Sequence, residues 1–158
     1  MPARRVDPAR LLAAVNEQRA ALGSLPWAGT PTVTALGAAA VAAVLAALAA
    51  GQDPRPAALR AATAYLLDLL AQQAPGRAVE VRIPPYAAIQ CVAGQRHTRG
   101  TPPNVVETDA VTWILLATGQ MAWPAAVASG AMRASGPRAD LSQYLPLAGY
   151  GRPAGAGH

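Results

Sequence analysis

The stretch Val79-Glu80-Val81-Arg82-Ile83 alternates apolar and charged side chains without exception. Such alternation is typical of a β-strand with one buried face. Just before it, residues 56–74 repeat apolar side chains at helical spacing, and Pro75-Gly76 ends that pattern. The apolar period therefore falls from about 3.6 residues to about 2 at this point, which predicts that a helix leads into a sheet.

The pattern on the C-terminal side of this strand extends the sheet and adds helices to it. Residues 86–92, 105–108 and 131–135 are apolar stretches bounded by turn-forming residues, and each is predicted to be a strand. Residues 110–118 and 123–129 have helical periodicity, and a glycine follows each. Short strands grouped with short helices predict the α+β class, with a mixed or antiparallel sheet covered by helices.

Two aspartates are predicted to begin helices. Asp7 precedes Pro8, and proline is favoured in the first helical turn. Asp109 precedes the apolar segment 110–118. An aspartate at this position accepts a hydrogen bond from a backbone N–H that has no partner within the helix. We therefore expect helices to begin at residues 8 and 110.

The chain divides into three parts by its patterning. Residues 1–55 contain two helical patterns, at 8–22 and 32–51, separated by glycines and prolines, and form an N-terminal helical extension. Residues 56–147 hold the predicted sheet and its helices. Residues 148–158 are rich in glycine and have little to bury, so a flexible tail is expected.

The amino-acid composition argues against several classes of function. The 158 residues include 40 alanines, no phenylalanine, and 13 basic residues that are all arginine, with a net charge of +5. The arginines are dispersed and not interleaved with aromatic residues, so no nucleic-acid partner is expected. One cysteine, Cys91, and two histidines exclude a disulfide framework and a multi-cysteine zinc site, and we expect no metal or cofactor. Charges among residues 4–19 are unlike a secretory signal, which favours a cytoplasmic location.

Residues 32–51 are uncharged over a length that could cross a bilayer. Half of these residues are alanine, which contributes little to the free energy of membrane insertion. The larger side chains cluster at helical spacing. This pattern favours a helix packed within the protein, and no stable membrane span is expected. Its small side chains also suit close packing against a second copy, which leaves open a homo-oligomer formed through this Ala-rich helix.

A polar cluster is predicted where the segment after the second strand meets the third strand. Arg96, His97 and Arg99 supply hydrogen-bond donors, and Glu107 and Asp109 supply carboxylates. Charge-assisted hydrogen bonds between them would hold this loop in place. The alternative is an acid–base site that uses His97 near neutral pH. No nucleophile or second acid stands at a suitable spacing, so the structural role is favoured and no catalytic residue is expected.

The large apolar side chains of the C-terminal half gather in one stretch: Trp113, Leu116, Met121, Trp123, Val127 and Met132. At helical spacing such residues form either a packed core or the wall of a cavity between helices and sheet. The sequence pattern alone leaves both interpretations open.

Three stretches together carry a family resemblance. They are residues 79–91, residues 97–109 with the loop HTRGTPPN at their start, and the glycine-punctuated run 112–141. Over about residues 56–147 the chain resembles the bacterial sterol carrier family. The resemblance implies helices that cover one face of a mixed sheet and enclose an apolar tunnel.

It also implies non-covalent binding and transfer of a sterol, a fatty acyl chain or another apolar small molecule, without catalysis. By position, the six apolar residues of the C-terminal half become candidates for the lipid-binding wall. The alternative is a protein-interaction or scaffold domain that keeps the fold but has no open ligand cavity. A smooth Ala-rich helix would suit that second role.

Overall fold

A computed structural model describes residues 5–94 and 104–151. Within these residues the chain forms five α-helices, four β-strands and one short 3-10 helix. In chain order they are α1 (Pro8–Ala21), α2 (Val33–Ala49), α3 (Pro56–Gln73), β1 (Val79–Ile83), β2 (Ala87–Cys91), β3 (Val105–Thr108), α4 (Ala110–Ala117), α5 (Trp123–Ala128), β4 (Met132–Ser135) and the 3-10 helix (Ser142–Tyr144).

The chain separates into two compact units, Met1–Tyr65 and Leu66–His158, and the division falls within α3. The predicted boundaries at residues 55 and 147 therefore remain a division by sequence pattern. Among the helices that the structure describes, none combines the length and the apolar character that a membrane crossing needs.

The first unit is helical. α1 packs against α2, and eight of the 17 residues of α2 are buried. Gln18 of α1 is fully buried, and its Oε1 accepts a hydrogen bond of 2.6 Å from the backbone N–H of Arg55. Gly37 of α2 faces the ring of Tyr65, and a Cβ atom at Gly37 would lie only 2.6 Å from Tyr65 Cγ. The absence of a side chain at Gly37 allows this close approach.

The second unit is built on a four-stranded sheet in the order β2-β1-β3-β4. β1 pairs antiparallel with β2 and parallel with β3, and β3 pairs antiparallel with β4. Val81 at the centre of β1 lies opposite Ile89 in β2 and Val106 in β3, and Val106 in turn lies opposite Ala134 in β4. The sheet is mixed, which confirms the predicted α+β class.

The alternation that predicted β1 also sorts the two faces of the sheet. The inward face carries the buried side chains of Val79, Val81, Ile83, Cys91, Val106, Thr108 and Met132. The outward face carries charged side chains at Glu80, Arg82, Glu107 and Arg133. α5 packs against β4, and the hydroxyl of Thr108 donates a 2.8 Å hydrogen bond to the carbonyl of Ala131, just before β4.

Candidate functional site

The last turn of α4 positions one wall of the candidate site. α4 begins where Asp109 Oδ1 accepts a 2.9 Å hydrogen bond from the backbone N–H of Thr112, as predicted. Thr118 caps its C-terminal end, and the Thr118 hydroxyl donates a 2.7 Å hydrogen bond to the carbonyl of Ile114. Gly119 follows with φ +79°, a left-handed conformation that glycine adopts without strain. This turn directs the chain away from the helix and toward α5.

A segment near the C-terminus forms the opposite wall. The backbone N–H of Leu147 donates a 2.9 Å hydrogen bond to the carbonyl of Ala117, which would otherwise be an unpaired carbonyl at the end of α4. The side chain of Leu147 is fully buried. Pro146 stands so close that a Cβ atom at Gly119 would lie 3.3 Å from Pro146 Cβ. The segment is thus held against α4 by a hydrogen bond and by apolar packing.

Between these walls lies a cleft of about 640 Å³ that opens to solvent. Its size falls within the range of about 300 to 1,000 Å³ that is typical of small-molecule sites. The lining residues come from the end of α4, the start of α5, the 3-10 helix and the segment that follows it. They are Leu116, Thr118, Gly119, Gln120, Met121, Ala122, Trp123, Pro124, Ser142, Leu145, Pro146 and Tyr150.

The described wall of the cleft carries no charged side chain, and two helix ends of opposite polarity face it, the C-terminus of α4 and the N-terminus of α5. None of the described residues that line it is Asp, Glu, Arg or His. The carbonyl end of α4 reaches the cleft, and a helix C-terminus carries a partial negative charge. Asp140 stands beside it, because its Oδ1 accepts a 2.9 Å hydrogen bond from the backbone N–H of Ser142. Hydrogen bonds from the Ser142 side chain and backbone lower the pKa of the Asp140 carboxyl, so the group is ionised at neutral pH.

Comparison with known protein families matches residues 55–147 to the family model described as bacterial SCP ortholog. That range covers more than half of the chain. The chain belongs to the bacterial SCP ortholog family. A comparison with curated proteins found no match. The sheet, α3, α4, α5 and most of the cleft lining lie within the part of the chain that matches the SCP family.

In this SCP family member the six predicted lipid-binding residues separate into three groups. Leu116, Met121 and Trp123 line the cleft. Trp113 and Met132 are 2% and 3% exposed, so both belong to the packed interior. Val127 is 47% exposed and is not among the residues that line the cleft. The lipid-binding role of all six stays a prediction, and the cleft brings three of them together.

The cleft differs in position from the tunnel that the family resemblance implied. That tunnel was expected between the helices and the sheet, whereas none of the described lining residues belongs to a strand. Sequence reasoning missed the wall formed by Ser142, Leu145, Pro146 and Tyr150. The local signal for it was weak, since the apolar residues on either side of Pro146 follow no regular period.

The predicted polar cluster is only partly within the described residues. Arg96, His97 and Arg99 lie outside them, so their pairing and the alternative acid–base role of His97 both stay predictions. Glu107 lies on the outward face of the sheet, opposite Arg82 in β1 and Arg133 in β4. Asp109 begins α4, and both of its carboxylate oxygens accept hydrogen bonds from Thr112.

Side chains of opposite charge lie next to one another on the outward face of the sheet, which carries Glu107. Arg82 Nε donates a 2.8 Å hydrogen bond to Glu80 Oε1. This hydrogen bond raises the pKa of Arg82, and the charge of Glu107 adds to the effect. The arrangement is a partly exposed row of opposite charges across three strands, in which solvent screens the attraction and keeps its contribution to stability small. Among the residues that the structure describes, no three His, Cys, Asp or Glu side chains are grouped to hold a metal ion.

Proposed function

We propose that this chain is a non-catalytic carrier domain that binds one sterol or fatty-acyl lipid in the cleft between α4, α5 and the 3-10 helix. The single observation that carries the proposal is a ligand-sized cleft, lined by apolar side chains together with uncharged polar ones, in a member of the SCP family. The cytoplasmic location expected from the sequence remains part of this proposal.

The composition of the wall supports an apolar ligand. Leu116, Met121 and Trp123 provide flexible and aromatic contacts, and Leu145 and Pro146 add rigid apolar surface on the opposite side. Each methylene group that moves from water into such a site favours binding by about 0.8 kcal/mol. Affinity should therefore increase with the length of a bound alkyl chain until the cleft is filled.

The chemistry of the wall supports binding and release without a reaction. The hydroxyl of Thr118 already donates to the Ile114 carbonyl. Among the residues that the structure describes, the lining includes no histidine, cysteine or carboxylate that could act as an acid, a base or a nucleophile. A carrier needs only to shield apolar surface from water and to release the ligand unchanged.

A substitution that fills the cleft tests the proposal. Ala122 is exposed and lines the cleft, whereas Ala128 is exposed at the end of α5 and does not line it. We expect Ala122→Trp to weaken the binding of a fluorescent sterol, measured by titration, by about tenfold or more, because the indole occupies ligand space. Ala128→Trp is the matched control and should leave the affinity unchanged.

Two results would contradict the proposal. Equal affinity of the Ala122→Trp variant and the unsubstituted protein would show that the ligand binds elsewhere. No saturable binding by the unsubstituted protein, together with no lipid in its organic extract, would favour the scaffold alternative. Thermal unfolding of both variants verifies that any loss of binding does not arise from loss of the fold.

A further inference from the structure

The loop between α1 and α2 exposes a run of apolar residues. Leu25 is 81% exposed, the highest value among the large apolar side chains that the structure describes. Pro26 and Ala28 are also exposed, and Trp27 is half-buried. The loop lies within the first compact unit and outside the residues that match the SCP family. Consecutive apolar residues at a protein surface are unfavourable unless a function requires them, so this loop is a candidate contact surface.

Side chains of α1 hold the loop in place. Arg19 Nε donates a 2.6 Å hydrogen bond to the carbonyl of Leu25, and Asn16 Oδ1 accepts a 2.7 Å hydrogen bond from the backbone N–H of Trp27. A Cβ atom at Gly29 would lie 2.7 Å from Trp27 Cε2, so the indole packs directly on the loop backbone. The apolar residues are thus presented by a fixed backbone, which reduces the entropy lost on contact with a partner.

The same hydrogen bonds suit the loop to an apolar environment. Backbone polar groups that enter lipid must be paired within the protein, because no water is present to pair them. The carbonyl of Leu25 and the N–H of Trp27 are already paired, and Pro26 between them has no N–H. Residues 20–52 include no charged side chain, so no charge of this stretch has to leave water.

We infer that residues 24–28, the α1–α2 tip, insert into the interface of an anionic lipid bilayer. Leu25 supplies apolar surface, and Trp27 suits the boundary between hydrocarbon and headgroups, where tryptophan is enriched. Arg19 uses Nε for the Leu25 carbonyl, and its charge attracts lipid phosphates. A bilayer fits this tip better than a protein partner, because a stable protein interface buries about 800 Å² on each side.

The inference rests on the proposed function, because a lipid carrier has to meet a membrane to load and release its ligand. It adds the surface at which that exchange takes place. The contact is peripheral and requires no membrane-spanning helix.

Removing the apolar side chain at the tip tests the contact. The intact protein is sedimented with vesicles of equal parts phosphatidylglycerol and phosphatidylcholine. We expect Leu25→Ser to lower the partition coefficient onto the vesicles by roughly tenfold or more, because serine gains little from leaving water. Val6→Ser is the matched control, since Val6 is 49% exposed and precedes α1, outside the tip. That control should bind the vesicles as the unsubstituted protein does.

Fluorescence quenching measures insertion directly. Leu25→Trp places an additional indole at the tip, and Val6→Trp places one outside it. With phospholipids brominated on their acyl chains, Leu25→Trp should lose a larger fraction of its emission than the unsubstituted protein, and Val6→Trp should not. Vesicles of phosphatidylcholine alone should bind the unsubstituted protein severalfold more weakly, because their surface lacks the negative potential that attracts arginine.

Two results would overturn the membrane contact. The first is no vesicle binding by the unsubstituted protein, and the second is equal vesicle binding by Leu25→Ser and the unsubstituted protein. A dimer that dissociates in Leu25→Ser, in the absence of vesicle binding, would assign the tip to a contact between copies instead. Thermal unfolding verifies that each variant keeps its fold.

A sterol titration without vesicles tests the carrier function separately. Leu25→Ser should bind the fluorescent sterol with the affinity of the unsubstituted protein, because Leu25 does not line the cleft. Vesicle binding that depends on Leu25, in a protein with no saturable sterol binding, would overturn the carrier function and support the membrane contact.

Discussion

Cys91 is the last residue of β2. It lies on the inward face of the sheet, opposite Val79, and is fully buried. Burial raises the pKa of its thiol from 9.0 to about 11, because the thiolate loses its hydration. The sequence placed this residue among apolar neighbours on a strand, and the structure confirms that environment. A buried thiol of this kind behaves as a small apolar side chain and not as a reactive group.

The raised pKa makes stability depend on pH in the alkaline range. The unfolded thiol ionises from about pH 9, while the folded thiol stays neutral until about pH 11. Ionisation therefore favours the unfolded chain, and the contribution is fully present below pH 9 and lost as pH rises toward 11. In Cys91→Ala the free energy of unfolding should fall less between about pH 8 and about pH 10.5 than in the unsubstituted protein.

The measurement is urea unfolding of both proteins at the two pH values. Comparing differences between pH values removes the constant loss of stability that the smaller side chain causes. All other titratable side chains are common to the two proteins, so their contributions cancel in the comparison. Parallel pH dependence of the two proteins would mean that the Cys91 thiol titrates as freely in the folded chain as in the unfolded one.

Asn104 illustrates a residue whose role could not be predicted from the sequence. The residue is 3% exposed. Its Nδ2 donates a 2.8 Å hydrogen bond to the Ala78 carbonyl, and its Oδ1 accepts a 2.9 Å hydrogen bond from the backbone N–H of Arg138. One amide thus joins the segments that lead into β1, β3 and the region after β4. These partners are 26 and 34 residues away along the chain, so no local pattern indicates them.

At the scale of the elements, periodicity predicted nearly every helix and strand. α1 and α4 begin after Asp7 and Asp109 as predicted, because a capping carboxylate and its backbone donors lie within a few residues of each other. β1 was predicted because burial of one face requires alternation. Both signals are local in sequence, and therefore they can be read without knowledge of the tertiary structure.

The packing of α2 against Tyr65 predicts that Gly37→Ala destabilises the protein, although helix propensity alone would predict the opposite. Glycine within a helix is less favourable than alanine by about 0.8 to 1 kcal/mol, so Gly37→Ala would ordinarily stabilise the protein. Here the new methyl group would overlap the Tyr65 ring, and α2 or the ring must shift. We expect Gly37→Ala to lower the free energy of unfolding by about 1 to 3 kcal/mol.

Introducing Gly37→Ala into a Tyr65→Ala variant separates the effect of helix propensity from the effect of overlap with the ring. In Tyr65→Ala the ring is absent, so adding Gly37→Ala should be neutral or stabilising. Urea unfolding of the four proteins gives the coupling between the two residues. A stabilising effect of Gly37→Ala in the unsubstituted protein would contradict the close packing of α2 on Tyr65.

At the scale of the whole molecule, the cleft depends on a contact that element prediction does not supply. Its outer wall is the segment after the 3-10 helix, tied to α4 by the hydrogen bond from Leu147 to Ala117. The sequence predicted α4 and α5 correctly and placed large apolar residues there. It could not predict which of them face a cleft, because that depends on where a segment about thirty residues further along returns.

Hydrogen–deuterium exchange on the intact protein should locate the ligand within this arrangement. A saturating neutral sterol should slow backbone exchange in residues 116–124 and 142–151, since a ligand that binds only the folded site reduces local opening. Exchange in α1 and α2 should stay unchanged, because all of the described residues that line the cleft belong to the second unit. The Ala122→Trp variant at the same sterol concentration provides the control, and its exchange should not respond. Protection centred on α2 would instead assign ligand binding to the first unit and leave the cleft without a role in lipid binding.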